Sequence, residues 1–339
     1  MLGIIGCCGS SGSTFLRQQL DRHPQIAATG NELNMFSKPL LYDHYGRVRR
    51  WWNFVKRWGI PSKPYVLDQS VMTNTDYFDL DSATIRKWVN DSRSIQDEAG
   101  NFQDHIRSLT GKSLWIEKTP NNIFCVGRYL ESFPDGRFIH IVRDPRDVVL
   151  SLLRRKHSVE QAADRWLAAV AVMQPFREHP RVLEVSYEDL ITERATVLSR
   201  ICAFLDLSYD DADFDGSEHI SVGLKRPAHF DTWHADPSAA PSPKGIGKYK
   251  STTVDLSALR TLRLTRHFAR ALTVPQFSLP ELARSYGYDV PDPEVTDKRD
   301  EAVETHRPLL RTTARCLVET AIAPRLLDRR RYYNRSERH

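Results

Sequence analysis

No apolar run in this 339-residue chain approaches the roughly 20 residues that a membrane-spanning helix needs, so no transmembrane segment is expected. Cysteine is sparse. Cys7, Cys8, Cys125, Cys202 and Cys316 are odd in number and form no CxxC pair, which reads as a reduced, cytoplasmic protein without zinc. No Asp/Glu/His cluster has ligand spacing, and no metal is expected. There is no internal repeat, and neither sign of charge dominates. A net charge of +5 suits an anionic ligand but is too weak to demand nucleic acid. No signal peptide is expected either, because the first strand-like run leads into a glycine-serine turn by residue 6. A hydrophobic content of 40% argues against disorder, and the length allows one large α/β domain or two small ones.

Short apolar runs do occur, at Leu2–Ile5, Leu114–Ile116, Phe138–Val142 and Val182–Val185. Each precedes helix-compatible sequence, the pattern of buried parallel strands. Helices are predicted over 13–22, 121–133, 145–156, 159–178 and 187–205, with a "FPDG" turn at 133–136 and Pro145 near a helix start. Two segments break the alternation. Residues 43–112, aromatic and basic at their start, are expected to form an inserted helical cap. Residues 223–244, rich in proline and small residues, read as a mobile loop. The main domain is therefore taken as 1–290, followed by a linker and a basic helical tail over 291–339. The tail helix, with an apolar stripe at Leu310 and Leu317, leaves weak peripheral membrane contact open.

The loop after the first strand, "GSSGST" (Gly9, Ser10, Ser11, Gly12, Ser13, Thr14), leads into a helix. Backbone N–H groups at such a start can bind phosphate or sulfate, helped by the helix dipole and serine hydroxyls. A nucleoside-triphosphate loop would need GxxxxGK[ST]. Here Cys7 takes the place of its first glycine and Ser13 that of its lysine, which speaks against triphosphate hydrolysis. Tight packing alone also explains a glycine-rich turn. A second stretch, "FIHIVRDPRDVVLSLLRR" (138–155), puts Arg143 at the carboxyl end of a strand, with Ser151 eight residues on. Arg143 could simply pair with Asp144 or Asp147. Together with the first loop, it offers a bidentate partner for a second phosphate.

With these pieces the chain resembles the PAPS-dependent sulfotransferases, PAPS being 3′-phosphoadenosine 5′-phosphosulfate. "GSSGSTFL" (9–16) is similar to the family's 5′-phosphosulfate loop, and Arg143 with Ser151 to its 3′-phosphate motif. "WIEKTPNN" (115–122), "VSYEDL" (185–190) and "GKYK" (247–250) agree in order, and the likeness spans residues 3 to about 290. "DRHPQIAATGNELNMF" (21–36) resembles the segment that carries a glutamate base in the tyrosylprotein group, and bacterial carbohydrate and lipid sulfotransferases are similar in flavour. Ser10 departs from the Lys or Arg of most relatives, and Lys244-Gly245 stands one residue too close to Gly247.

The resemblance implies a single P-loop-like α/β domain with a central parallel sheet. It implies transfer of the sulfuryl group of PAPS to a hydroxyl-bearing acceptor, in line, releasing adenosine 3′,5′-bisphosphate. Glu32, after Gly30 and just beyond a second strand-like stretch, takes the place of the base, and Lys118 supplies positive charge near the leaving phosphate. Tyr187, Lys248 and Lys250 join the loop residues, Arg143 and Ser151 as cofactor contacts. For each of these the bland reading stands beside it: a surface glutamate, a solvated lysine, a core tyrosine. His140 reads as structural, while His229, His234, Trp51, Trp52 and Trp58 are candidates for the acceptor side. A nucleotide kinase with an unusual loop, or an inactive protein that keeps the cofactor fold, remain the alternative readings. Acceptor identity has no readable motif.

Overall fold

A computed structural model describes residues 1–29, 32–38, 42, 45, 80–215 and 243–291. Gly30, the three tryptophans at 51, 52 and 58, most of the loop predicted at 223–244 with His229 and His234, and the tail from 292 onward lie outside the described residues.

Five parallel strands form one sheet in the order β2-β3-β1-β4-β5. They are β1 (Leu2–Gly6), β2 (Ile26–Ala28), β3 (Leu114–Lys118), β4 (Arg137–Val142) and β5 (Val182–Ser186). The fold is therefore the α/β architecture predicted. The strands read as apolar runs because both faces are covered. Ile4, Trp115 and Phe138 belong to one apolar cluster, and their neighbours Ile5, Ile116 and Ile139 to a second on the opposite face. β2 is not among the four predicted runs: three residues, "IAA", are too short for a periodic signal.

The first cluster is roofed by Ile95–Thr110, Val126–Ser132 and Val159–Met173; the second by Ser13–Asp21 and Arg194–Phe204. Val159–Met173 is apolar nearly all round, with Ala162, Trp166, Leu167 and Val170 all buried, as a helix lying between other elements must be. A capping box between Ser158 and Gln161 starts it. Of the segment predicted as an inserted cap, the described part holds two helices, Ser82–Asp91 and Ile95–Thr110. The second packs Ile95, Phe102 and Ile106 into the core beside Trp115 of β3.

Three predicted helices are shorter or broken. Residues 121–133 divide into a 3-10 turn, Pro120–Cys125, and a helix, Val126–Ser132. The turn crosses close to β1, so close that a Cβ on Gly6 would lie 2.6 Å from the Ile123 nitrogen. The helix from Val159 gives way at Met173 to a 3-10 turn containing Pro175. Residues 187–205 split at Glu193, whose φ of −126° and ψ of 42° are not helical.

A partly buried polar knot ties the carboxyl-terminal part to the sheet. Glu184 of β5 accepts from His140 Nδ1 at 2.8 Å, Tyr286 Oη at 2.6 Å and Arg177 Nε at 2.6 Å. His140 is thus structural, its Nδ1 carrying the proton because a carboxylate only accepts. Burial alone would raise the Glu184 carboxyl, but the His140, Tyr286 and Arg177 contacts outweigh it and hold the group at about 2. A depressed carboxyl stabilises the fold fully above its ordinary value near 4.5, and that contribution drains away as pH falls toward 2. Urea unfolding should therefore show stability falling over that window, with the slope reduced in Glu184→Gln. Tyr286→Phe removes one hydrogen bond to a charged group and should cost about 1.5–3 kcal/mol at neutral pH in the same assay.

Candidate active site

All five strands run the same way, so their carboxyl ends open on one edge, where α/β sheets take ligands. Ile5 of β1 lies in register with Lys118 of β3, and Gly6 with His140 of β4. The loop 7–12 therefore leaves the sheet between Lys118 on one side and Arg143 on the other.

The loop is held by its backbone. Cys7 N–H donates to the Pro120 carbonyl at 2.9 Å, and Ser11 N–H to that of Cys8 at 3.3 Å. Ser10 (φ 70°) and Gly12 (φ 95°) both adopt the left-handed conformation, which turns successive N–H groups into a concavity suited to an anion. At Gly12 the reason for glycine is also steric, since a Cβ would sit 2.2 Å from the Tyr187 ring. The helix Ser13–Asp21 begins with no side-chain cap and no acidic residue in its first turn, leaving its positive end for something else. The hydroxyl oxygens of Ser10 and Ser11 are buried without a hydrogen-bond partner, as polar groups awaiting a ligand would be. Beneath them, burial pushes the Cys7 thiol up to about 12, so it is no nucleophile.

On the β3 side, Lys118 donates to Glu32 Oε1 at 2.8 Å. The pair is asymmetric: the lysine side chain is 3% exposed and the glutamate 46%. The structure thus brings together two residues that the sequence singled out separately.

On the β4 side, Arg143 is held by its carbonyl and by both terminal guanidinium nitrogens, while its Nε is buried without a partner. Its carbonyl accepts from Trp166 Nε1 at 2.8 Å, its guanidinium donates to the carbonyls of Ser10 (3.1 Å) and Gly245 (2.5 Å), and the cation lies 4.4 Å from the centre of the Tyr187 ring. Asp147 stands 4.0 Å away, one of the two partners the sequence offered for Arg143. Its larger role was not legible. Fully buried, it accepts the N–H groups of Gly247 (2.7 Å) and Tyr249 (3.1 Å), so it fastens the "GKYK" segment beside the loop. Asp144, the other offered partner, pairs instead with Arg146 at 2.6 Å, and Arg146 stacks on Tyr249.

Ser151 lies one helical turn after Asp147 and shares its face of Pro145–Leu153. Lys248 is half-buried; burial, then the neighbouring Arg143 and Arg154 cations, lower its pKa. Arg143, Lys248 and Arg154 thus form a cationic group that an anion would relieve. Arg154 was missed because "LLRR" reads as an ordinary exposed helix end. Lys250 is exposed, its aliphatic carbons beside Gly247. Gly9 faces open space, and Thr14 and Ser13 open the uncapped helix. The arrangement offers two anion positions, the loop and the Arg143 group, with a carboxylate–lysine pair flanking the first.

A family model described as "Sulfotransferase family" matches residues 4–211, more than half of the chain. Protein-tyrosine sulfotransferase A of Caenorhabditis elegans is 24% identical over 221 residues, covering 61% of this chain and 50% of that protein. The protein-tyrosine sulfotransferase of Drosophila melanogaster is 26% identical over 231 residues, covering 64% and 40%. The chain thus spans half or less of the length of these relatives. Among solved structures, the sulfotransferase domain from the Synechococcus PCC 7002 olefin synthase superposes with a TM-score of 0.56 at 20% identity, covering 86% of this chain and 95% of that one. The sulfotransferase domain from the curacin biosynthetic pathway does so with 0.55 at 18%, covering 86% and 98%. These two likenesses show the fold.

The packing of Gly12 makes a direct prediction. Gly12→Ala places a methyl group inside the Tyr187 ring and forces a left-handed alanine, the latter alone costing about 1–2 kcal/mol. Gly9→Ala meets no atom and should cost much less. Urea unfolding of the two variants side by side checks the ranking.

Proposed function

The chain belongs to the sulfotransferase family, and on that premise we propose that it moves the sulfuryl group of PAPS to a hydroxyl of a small-molecule, lipid or carbohydrate acceptor. The observation that carries this reading is the pair of anion positions on one sheet edge. PAPS is a double anion of that kind, with a 5′-phosphosulfate and a 3′-phosphate. The residues present suit it: two buried serine hydroxyls lack partners, Gly9 has open space beside it, and the Arg143 and Arg154 cations both act on Lys248. Gly9, Ser10, Ser11, Gly12, Ser13 and Thr14 would hold the 5′ end. Arg143, Ser151, Lys248 and Lys250 would hold the 3′-phosphate, beside Tyr187. When bound, PAPS supplies an activated sulfuryl group and a phosphate leaving group.

The chain's own residues do the rest. Glu32, half open to solvent, is placed to take the proton of an incoming hydroxyl on a carboxylate oxygen. Lys118, enclosed on the loop side, has three N–H donors and spends one on Glu32; the others are available to negative charge gathering at the loop. This replaces the cation missing at Ser10. Both curated relatives are named for tyrosine, a hydroxyl acceptor, which supports a hydroxyl here rather than an amine. No metal is called for by these steps.

Two outcomes are expected. In calorimetry, adenosine 3′,5′-bisphosphate should bind far better than AMP, with Arg143→Ala erasing about 1.5–3 kcal/mol of the difference; equal affinities for the two nucleotides would refute the assignment of Arg143. With labelled PAPS and an extract of the native cell as acceptor source, Glu32→Gln should slow transfer roughly 10²–10⁴-fold and Lys118→Ala roughly 10²–10³-fold. Nucleotide affinity should change little in either. Absence of any transfer by the parent protein would favour an inactive binding protein.

A further inference from the structure

We propose that Glu117 is the positioning residue that sets Glu32 against Lys118, by fixing the peptide unit between Glu32 and Leu33. The proposal rests on the reading of Glu32 as the base.

Glu117 is the residue before Lys118 and points to the opposite face of β3, so it cannot touch what Lys118 touches. It is fully buried, where a carboxylate persists only if its oxygens are satisfied. Three donors converge on it. Oε1 accepts from Leu33 N–H at 3.1 Å and Thr119 Oγ1 at 2.5 Å, and Oε2 accepts from Asn122 Nδ2 at 2.7 Å. Asn122 also donates to the Ile5 carbonyl at 3.2 Å, so both contacts of its amide nitrogen are with acceptors and its orientation is set. Thr119 Oγ1, having given its proton to Glu117, accepts Asn34 N–H at 3.2 Å.

The consequence falls on Glu32. The carbonyl of Glu32 and the N–H of Leu33 are two ends of one peptide plane. Asn34 Nδ2 holds the carbonyl at 3.0 Å, and Glu117 holds the N–H. Asn34 itself sits in the left-handed region at φ 57°, a turn that the Thr119 bond to its N–H supports. A half-exposed side chain on a loop is thus anchored from its own backbone by a carboxylate beneath the sheet edge. Through Asn122 and Ile5 the same carboxylate is tied to the strand that leads into loop 7–12. One buried group therefore links the three parts that must agree: the loop, Lys118 and Glu32.

A plain structural staple would also bury this carboxylate, and the experiment separates the two. Burial pushes Glu117 up to about 7 against the opposing pull of its donors and of Lys118, so measurements belong at pH 8, where it is ionised. Glu117→Leu removes both acceptor oxygens, and Glu117→Gln keeps one. Hydrogen exchange of the segment 29–36 should quicken roughly tenfold or more in Glu117→Leu and less in Glu117→Gln. Affinity for adenosine 3′,5′-bisphosphate should stay within about twofold, because the loop keeps its own backbone bonds, Cys7 N–H to Pro120 and Ser11 N–H to Cys8, when Glu117 is lost. Transfer from labelled PAPS with native-cell extract should fall up to about 100-fold, and in a Glu32→Gln background the same change should add almost nothing. If Glu117→Leu does not fold, Thr119→Val, which deprives Asn34 N–H of its acceptor, is measured in the same way with Glu117→Gln. Unchanged exchange at 29–36, or losses of transfer that multiply fully with Glu32→Gln, overturns the proposal. Native transfer by Glu32→Gln alone instead overturns the role of Glu32, a result visible without any Glu117 variant.

Discussion

β1 is hydrogen-bonded on both flanks by parallel strands, and the layout of the whole site depends on that pairing. Because β3 and β4 run with it in register, the carboxyl ends of three strands emerge side by side, Ile5 against Lys118 and Gly6 against His140. The glycine-serine loop, Lys118 and Arg143 become neighbours without any loop having to reach. Antiparallel pairing on either side would send one cation to the far edge. The cost of parallel strands is burial on both faces, and the chain meets it with two apolar clusters and an alanine-rich helix that is almost wholly enclosed.

On that edge, charge is arranged by depth. The cations that face the loop, Lys118 and Arg143, are nearly enclosed, and each has a carboxylate to set against it: Glu32 from the solvent side, Asp147 from within the helix Pro145–Leu153. Asp147 gives its oxygens to the N–H groups of Gly247 and Tyr249 and stands 4.0 Å from Arg143, while Lys248 and Arg154 add positive charge nearby. Crowded cations with few counter-charges repel one another, and an anion among them relieves that repulsion. Buried serine hydroxyls without partners act in the same direction.

Part of this was legible in the sequence and part was not, and the difference follows range. Apolar runs, the glycines of the loop and Pro145 act on their own residues and immediate neighbours, so four strands, the loop and the start of the helix after Arg143 could be read directly. β2 was noticed only as a strand-like stretch before Glu32 and given no bounds, because Ile26, Ala27 and Ala28 are too few to carry a period, and Glu193 split a helix without a proline or glycine to announce it. Arg143 could be chosen because its place at a strand end is local, but its partner Asp147 and the reach of that residue to Gly247 could not.

By itself, the sequence determined a parallel α/β sheet, an anion loop without a lysine, and the residues that carry charge at strand ends, because each of these depends on spacing along the chain. Only the tertiary structure decided how they meet. The Lys118–Glu32 contact, the left-handed Ser10, the seating of "GKYK" on Asp147 and the enclosure of Glu117 under three donors all depend on strand order and on which helix covers which face. Those are set by packing between segments far apart in sequence, where a side chain's neighbours cannot be read from its own stretch of chain.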